Sequence, residues 1–235
     1  MSISEPTAPG AILFDLDGTL IDSVPDITLA VNELLALDDL TPATESEIRG
    51  MVGRGLTVLV ERVYGARAFQ PAQFAERLEA MRGIYARHLI GHTVLMPGAD
   101  QALRRLWQDG WRLAVVTNKL RSATETILEH FGIRSLFGAV VGDGSGHALK
   151  PAPDMLAAAL AELGMSPATA YMVGDSAADM ESSRRAGIAS ILVRGGYLSE
   201  PADTVGADII IASLEDLPDT LAAARRRPFL ARQSS

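Results

Sequence analysis

The stretch Ala11-Ile12-Leu13-Phe14-Asp15-Leu16-Asp17-Gly18-Thr19 decides the fold. Four apolar residues run straight into two acids and a glycine, the pattern of a buried strand that stops at a loop. Five further stretches have the same character: Arg112 to Val116, Ala139 to Val141, Ala170 to Val173, Ser190 to Val193 and Asp208 to Ile211. Helix-period stretches lie between them. Leu103, Leu106 and Trp107 share one face, Thr126, Ile127 and His130 mark a second helix, and Met155 to Gly164 is Ala/Leu-rich with a terminal glycine as stop signal. Ala177 to Gly187 and Leu214 to Ala224 complete the set. Apolar strands alternating with helices predict an α/β fold, a doubly wound parallel-sheet, Rossmann-like core buried on both faces.

One segment breaks the alternation. From Pro25 to Leu89 only helix periodicity is present: Ile27, Val31, Leu34 and Leu35; then Leu56, Leu59, Val60 and Val63; then Phe74, Leu78, Met81 and Tyr85. Thr44-x-x-Glu47 reads as a capping box for a further short helix. The economical division is an all-helical insert, residues 23–94, within a core of residues 1–22 and 95–235. The opening Ser2 to Gly10 reads as a loose lead-in, and Arg225 to Ser235 as a basic, frayed tail.

Composition narrows the chemistry. The 235 residues contain no cysteine, which removes disulfides, thiolate metal sites and thiol nucleophiles together. A formal charge of −8 has the wrong sign for a protein that embraces nucleic acid. No apolar run approaches the roughly 18–20 residues of a membrane span, and Met1 to Gly10 lacks a signal-peptide pattern, so a cytoplasmic protein is expected.

In an open α/β sheet, ligands bind beyond the carboxyl ends of the strands. There stand Asp15, Asp17, Gly18 and Thr19; Thr117 and Asn118; Gly174, Asp175 and, four residues on, Asp179. Lys150 precedes a Pro-Ala-Pro break and a helix. Singly, Asp175 or Thr117 reads as an ordinary helix cap or turn residue. Asp15 and Asp17 are harder to dismiss, because residues two apart in an extended chain project to the same side. Carboxylates forced together repel unless a cation lies between them. Four carboxylates and the Lys150 ammonium leave the bare site at −3, which repels phosphate, whereas a divalent ion raises it to −1. Oxygen donors alone favour a hard ion, Mg²⁺ above all.

These residues resemble the four ordered motifs of the haloacid dehalogenase superfamily: Asp15-Leu16-Asp17-Gly18-Thr19, Thr117-Asn118, Lys150-Pro151 and Gly174-Asp175-Ser176-Ala177-Ala178-Asp179. The likeness covers nearly the whole chain, and the insert resembles that superfamily's mobile cap. Within it the chain is most similar to phosphoglycolate phosphatases, through Phe14 to Ser23, Thr117-Asn118-Lys119, Lys150 to Pro153 and Gly195-Gly196-Tyr197. Glu181 to Gly187 departs from the pattern, with polar and bulky residues in place of small alanines, which is expected to alter a helix face and not the chemistry.

The resemblance implies a Mg²⁺-dependent phosphatase that hydrolyses a small phosphomonoester, 2-phosphoglycolate, through an aspartyl-phosphate. Asp15 is then the nucleophile and Asp17 the acid and base. The implied metal site draws on Asp15, the main-chain carbonyl of Asp17, Asp175 and Asp179, the last orienting a bound water. Thr117 and the Asn118 amide are expected to hold phosphoryl oxygens, with Gly18 in the same substrate loop and Lys150 neutralising charge. Asp17 favours phosphoryl chemistry over dehalogenation, since a departing halide needs no proton. Arg54, between Gly53 and Gly55 in a break of the insert, reads equally well as a reader of a substrate carboxylate and as a solvated turn residue.

Other readings stand beside this one: a β-phosphoglucomutase-like mutase, another sugar-phosphate or nucleotide phosphatase, or a non-enzymatic phospho-accepting signalling domain. The expected partner is a small-molecule phosphate ester, with neither nucleic acid nor membrane, and the chain a monomer or homodimer. His88, His92, His130 and His147 show no metal-ligand spacing. Trp107 and Trp111 are expected in core or near-surface packing.

Overall fold

The computed structural model of the chain describes residues 9–69, 72, 74–198 and 201–226. The lead-in through residue 8 and the tail from Arg227 onward therefore lie outside the described residues. Strand β1 (Ala11–Phe14) is followed by the two-residue β2 (Ile21–Asp22), then helices α1 (Val24–Ala36), α2 (Glu45–Arg49), α3 (Leu56–Gly65) and α4 (Phe74–Tyr85). The chain returns through β3 (Val94–Leu95) to α5 (Ala99–Gln108), β4 (Arg112–Leu120), α6 (Arg121–His130), β5 (Phe137–Asp143) and α7 (Asp154–Leu163). It ends with β6 (Ala170–Gly174), α8 (Ala177–Ala186), β7 (Ala189–Val193), β8 (Ile209–Ile211) and α9 (Leu217–Arg226).

Six strands form one parallel sheet in the order β5-β4-β1-β6-β7-β8. The first strand sits between β4 and β6, where the strand order reverses, the place at which doubly wound sheets bind ligands. Register explains which side chains meet. Phe14 lies opposite both Val115 and Val173, so Asp15, Thr117 and Asp175 emerge just beyond the same edge. Alternation along the strands feeds two cores. Ile12, Phe14, Leu113 and Val115 join the apolar faces of α5, α6 and α9. Leu13, Ala114, Val116 and Met172 pack on Met155, Leu156 and Leu160 of α7. Full burial of a side chain such as Phe14 is worth roughly 1.5–3 kcal/mol.

The four helices of the insert lie between β2 and β3, whose antiparallel pairing of Ile21 with Leu95 and Asp22 with Val94 ties the outgoing chain to the returning one. The tie is reinforced by buried Asp26, which accepts from the main-chain N–H of His92 (2.9 Å) and from the N–H (2.8 Å) and Oγ1 (2.7 Å) of Thr93. The predicted capping box on α2 is formed, Thr44 and Glu47 each accepting from the other's main-chain N–H.

Two helix faces differ from the sequence reading. On α5 the buried stripe is Ala99, Ala102, Leu103 and Leu106, and Trp107 falls beyond its edge, 53% exposed. On α6 the core face is Ala123, Thr124, Ile127 and Leu128, leaving Thr126 and His130 outside. The polar replacements on α8 do alter a helix face: Ser182 and Ser183 are buried and donate back to the Asp179 carbonyl, while Arg184 and Arg185 pair outside with Glu181. Among the described residues no helix is long and apolar enough to cross a membrane.

Candidate active site

Asp15 is the first residue past β1, held there by its N–H on the Val173 carbonyl (2.9 Å). Lys150 reaches it from the loop before α7. The Lys150 ammonium lies 2.8 Å from Asp15 Oδ1 and 2.7 Å from Asp179 Oδ1, and donates to the Val116 carbonyl at 2.8 Å. Its side chain is 1% exposed, so three acceptors take the place of water. Burial opposes this charge, but the two aspartates outweigh it and hold the ammonium above the ordinary lysine range. The peptide bond from Lys150 to Pro151 is cis.

Asp175, one residue past β6, accepts from Thr19 Oγ1 (2.8 Å) and from the Tyr197 N–H (2.6 Å). Gly18 makes this approach workable. Its φ of +85° suits glycine, and a Cβ there would stand 2.3 Å from Asp175 Oδ2. The Gly18 N–H is spent on the Ile21 carbonyl, so this residue contributes room and a turn rather than a donor to substrate. Asp179 caps α8 reciprocally with Ser176, and its other oxygen holds Lys150.

Asp15, Asp175 and Asp179 each offer an oxygen within 4.8 Å of the others, all three buried. Burial, then repulsion from neighbouring carboxylates, holds Asp15 and Asp175 above the ordinary carboxylate range. A buried cluster of oxygen donors with unrelieved negative charge fits a divalent cation. Each oxygen of Asp175 accepts one hydrogen bond, from Thr19 and from Tyr197, and keeps a lone pair for the ion, whereas Asp179 Oδ2 accepts twice from Ser176 and its Oδ1 holds Lys150. The Asp17 side chain is outside this cluster. Its carboxylate is gripped instead by the Lys119 ammonium, 2.7 Å from Oδ1 and 3.0 Å from Oδ2, and by Ser23 Oγ.

Lys119 is the residue that the sequence reading missed. It is buried near the end of β4, and its ammonium lies 4.9 Å from the centroid of the Tyr85 ring. Burial again opposes the charge, and Asp17 outweighs it, raising the lysine above its ordinary range. With Lys119 counted, the four carboxylates face two ammoniums, and the bare site stands at −2 rather than −3.

A cavity of about 50 Å³ opens beside Asp15, floored by Asp17, Thr117 and Lys119. The insert supplies its other wall, through Leu56 and Leu59 of α3 and Met81 and Tyr85 of α4. The turn before α3 seats on the core, where Asn118 Nδ2 donates to the Gly53 carbonyl (3.0 Å) and a Cβ on Gly55, whose φ is +86°, would press on Leu149. Asn118 also donates to the Lys150 carbonyl (2.9 Å) and accepts from the Lys150 N–H (2.8 Å). Its amide is thus committed to backbone, and it aligns Lys150 instead of facing the cavity with free donors. The Thr117 hydroxyl accepts from the Lys119 N–H (3.2 Å) and keeps its hydrogen for a bound oxygen. Arg54 is exposed, outside the cavity lining formed by its neighbours Gly53 and Gly55.

A parallel sheet with its strand-order reversal at β1, a helical insert over that point and a buried aspartate–lysine cluster beneath define a hydrolase of one fold family. The haloacid dehalogenase-like hydrolase family matches residues 12–193, and the chain belongs to it. Among relatives, it is 39% identical over 215 residues to a phosphoglycolate phosphatase of Cereibacter sphaeroides, covering 91% of this chain and 97% of that one. It is 36% identical over 209 residues to the phosphoglycolate phosphatase of Caulobacter vibrioides, covering 88% of each. Among solved structures, a predicted phosphoglycolate phosphatase from Haemophilus somnus superposes with a TM-score of 0.86 at 30% identity, over 91% of this chain and 98% of that one.

Proposed function

We propose that the chain is a Mg²⁺-dependent phosphoric monoester hydrolase that converts 2-phosphoglycolate to glycolate and phosphate through an aspartyl-phosphate on Asp15. The observation that carries this reading is the position of the Asp15 carboxylate, beside Lys150 and Asp175 and on the wall of a small cavity. A single water needs roughly 10–15 Å³ on the same scale, so about 50 Å³ is room for roughly three to five such spheres. That favours a two-carbon ester over a hexose phosphate.

Asp15 attacks phosphorus, and the bond from phosphorus to the ester oxygen breaks as Asp17 delivers a proton to that oxygen. Water then attacks the phosphorus of the acyl phosphate while Asp17 takes its proton, which frees phosphate and restores Asp15. Lys150 and the Thr117 hydroxyl neutralise and hold phosphoryl oxygens, and Asn118 and Asp179 fix Lys150 for that task. Asp15, Asp175 and the main-chain carbonyl of Asp17 are the residues that would hold Mg²⁺, which supplies positive charge against the phosphoryl group when bound. Residues 23–94 serve as the cap over a core of residues 1–22 and 95–235.

The test is phosphate release with Mg²⁺ from a panel of 2-phosphoglycolate, hexose phosphates and nucleotides. The expected result is a kcat/KM for 2-phosphoglycolate at least about 10-fold above the rest, and a loss of roughly 10³-fold or more in Asp15→Asn with unchanged circular dichroism. Equal rates across the panel, or isomerised sugar formed with a bisphosphate activator, would overturn it.

A further inference from the structure

The sequence suggests Arg54 as the reader of a substrate carboxylate, yet Arg54 is exposed and the cavity has a different cation. Lys119 is buried within its wall, on the same side as Asp17 and Thr117. Two of its ammonium hydrogens are drawn to the two oxygens of Asp17, and its remaining surface faces the Tyr85 ring. Tyr85 contributes a second unusual feature. Its hydroxyl is buried at the cavity beside the Lys119 ammonium, which can only donate to it, and its own hydrogen has no acceptor among the described residues. Burial pushes that hydroxyl up to about 12, so it remains a donor at neutral pH. An orphaned buried donor costs stability unless a ligand completes it. The surrounding walls, Ile27, Leu56, Leu59 and Met81, offer nothing to a sugar hydroxyl.

We propose that Lys119 and Tyr85 together bind the carboxylate of the substrate, and that this binding draws Lys119 off Asp17 and frees Asp17 to serve the leaving oxygen. The inference rests on the phosphoglycolate reading and deepens it. In the structure Asp17 is held by Lys119 and Ser23 and is not part of the carboxylate cluster around Asp15. A carboxylate entering the cavity gives the ammonium a second anion and gives the Tyr85 hydroxyl its acceptor. A neutral ester does neither, so it leaves Asp17 clamped and the tyrosine unpaired. The preference for an acidic substrate thus arises in the proton-transfer step as well as in binding.

The experiment compares 2-phosphoglycolate with 2-hydroxyethyl phosphate, which carries a hydroxymethyl group where the carboxylate would be. The quantity read is the ratio of their kcat/KM values, which cancels any loss of active protein or of general Asp17 function. Wild type should favour 2-phosphoglycolate by about 10²-fold. Lys119→Met should bring the ratio to within about threefold of one, Lys119→Arg should keep most of it, and Tyr85→Phe should lower it by about 3- to 10-fold. Glycolate, as a competitive inhibitor, should lose affinity in Lys119→Met by about 10-fold or more. A wild-type preference that survives in Lys119→Met overturns this assignment and leaves the phosphoglycolate reading standing. A wild-type ratio near one overturns the phosphoglycolate reading itself.

Discussion

Replacing Lys150 by Met removes a cation whose ammonium has three acceptors and almost no contact with solvent. Methionine fills nearly the same space, so the loss is electrostatic rather than steric. Asp15 and Asp179 are left as buried carboxylates without their counter-ion, and Val116 loses a donor to its carbonyl. Breaking a buried pair in this way costs about 3–5 kcal/mol, a large share of the 5–15 kcal/mol typical of a folded domain. For a chain of this size that lowers the melting temperature by roughly 6–20 °C. The sign of the pH dependence identifies the cause. Lys150 offsets the effects of burial and of Asp179 on Asp15, so its loss raises the proton affinity of Asp15 further in the folded state. The folded variant then retains a proton that the unfolded chain has released, and its unfolding free energy falls as pH rises. One retained proton gives a slope of at most about 1.4 kcal/mol per pH unit. Urea denaturation of both proteins in excess chelator, between about pH 5 and about pH 8, should show a deficit that widens with pH. A deficit below about 1 kcal/mol, or one that stays constant over that range, would refute the counter-ion role.

Addition of Mg²⁺ should stabilise the fold, because a bound cation offsets the burial and the mutual repulsion that raise Asp15 and Asp175. At a concentration 100 times its Kd the gain is about 2.7 kcal/mol, or roughly 5–10 °C in melting temperature, and calorimetry should detect protons released on binding at neutral pH. No thermal shift with Mg²⁺, against a shift of that size in Asp175→Asn, would contradict the cluster's role. Asp26→Ala strands the donors of His92 and Thr93 where the chain returns from the insert, and should cost about 2–4 kcal/mol by urea denaturation. A loss under about 0.5 kcal/mol would mean that the junction is held by its β2–β3 pairing alone.

The parallel core was legible in the sequence because its strands are buried on both faces. Each therefore reads as an unbroken apolar run, and five of the six appear within two residues of their observed ends. The exception is β4, which continues past Val116 through the polar Thr117, Asn118 and Lys119 to Leu120, while in β5 the glycines Gly138 and Gly142 interrupt the apolar pattern on either side of Ala139 to Val141. The same logic fails for β2 and β3, which are two residues each and too short for any period. Trp107 and His130 were misassigned because a stripe on a helix was read from two or three residues. The observed stripes on α5 and α6 begin earlier and include alanines, which carry little weight in a hydrophobic pattern.

At the site, strand ends and local motifs located the acids and Lys150, but several of the decisive pairings join residues more than a hundred positions apart. Lys119 and Asp17 are 102 positions apart. A local signal was nevertheless present. Thr117 and Lys119 stand two apart near the end of a strand, the same spacing that singled out Asp15 and Asp17, so a reading that places Thr117 at the rim should place the lysine beside it. Its inclusion changes the electrostatics in kind. With only Lys150, a bound divalent ion leaves the site at −1 and a phosphate dianion still meets net repulsion. With both lysines the same ion brings the four carboxylates to neutrality, and the two cations are divided by position: Lys150 lies on Asp15, Lys119 on Asp17. A neutral metal-loaded site with a second ammonium in the wall of the cavity beside Asp15 suits the proposed ester, which is anionic at both ends.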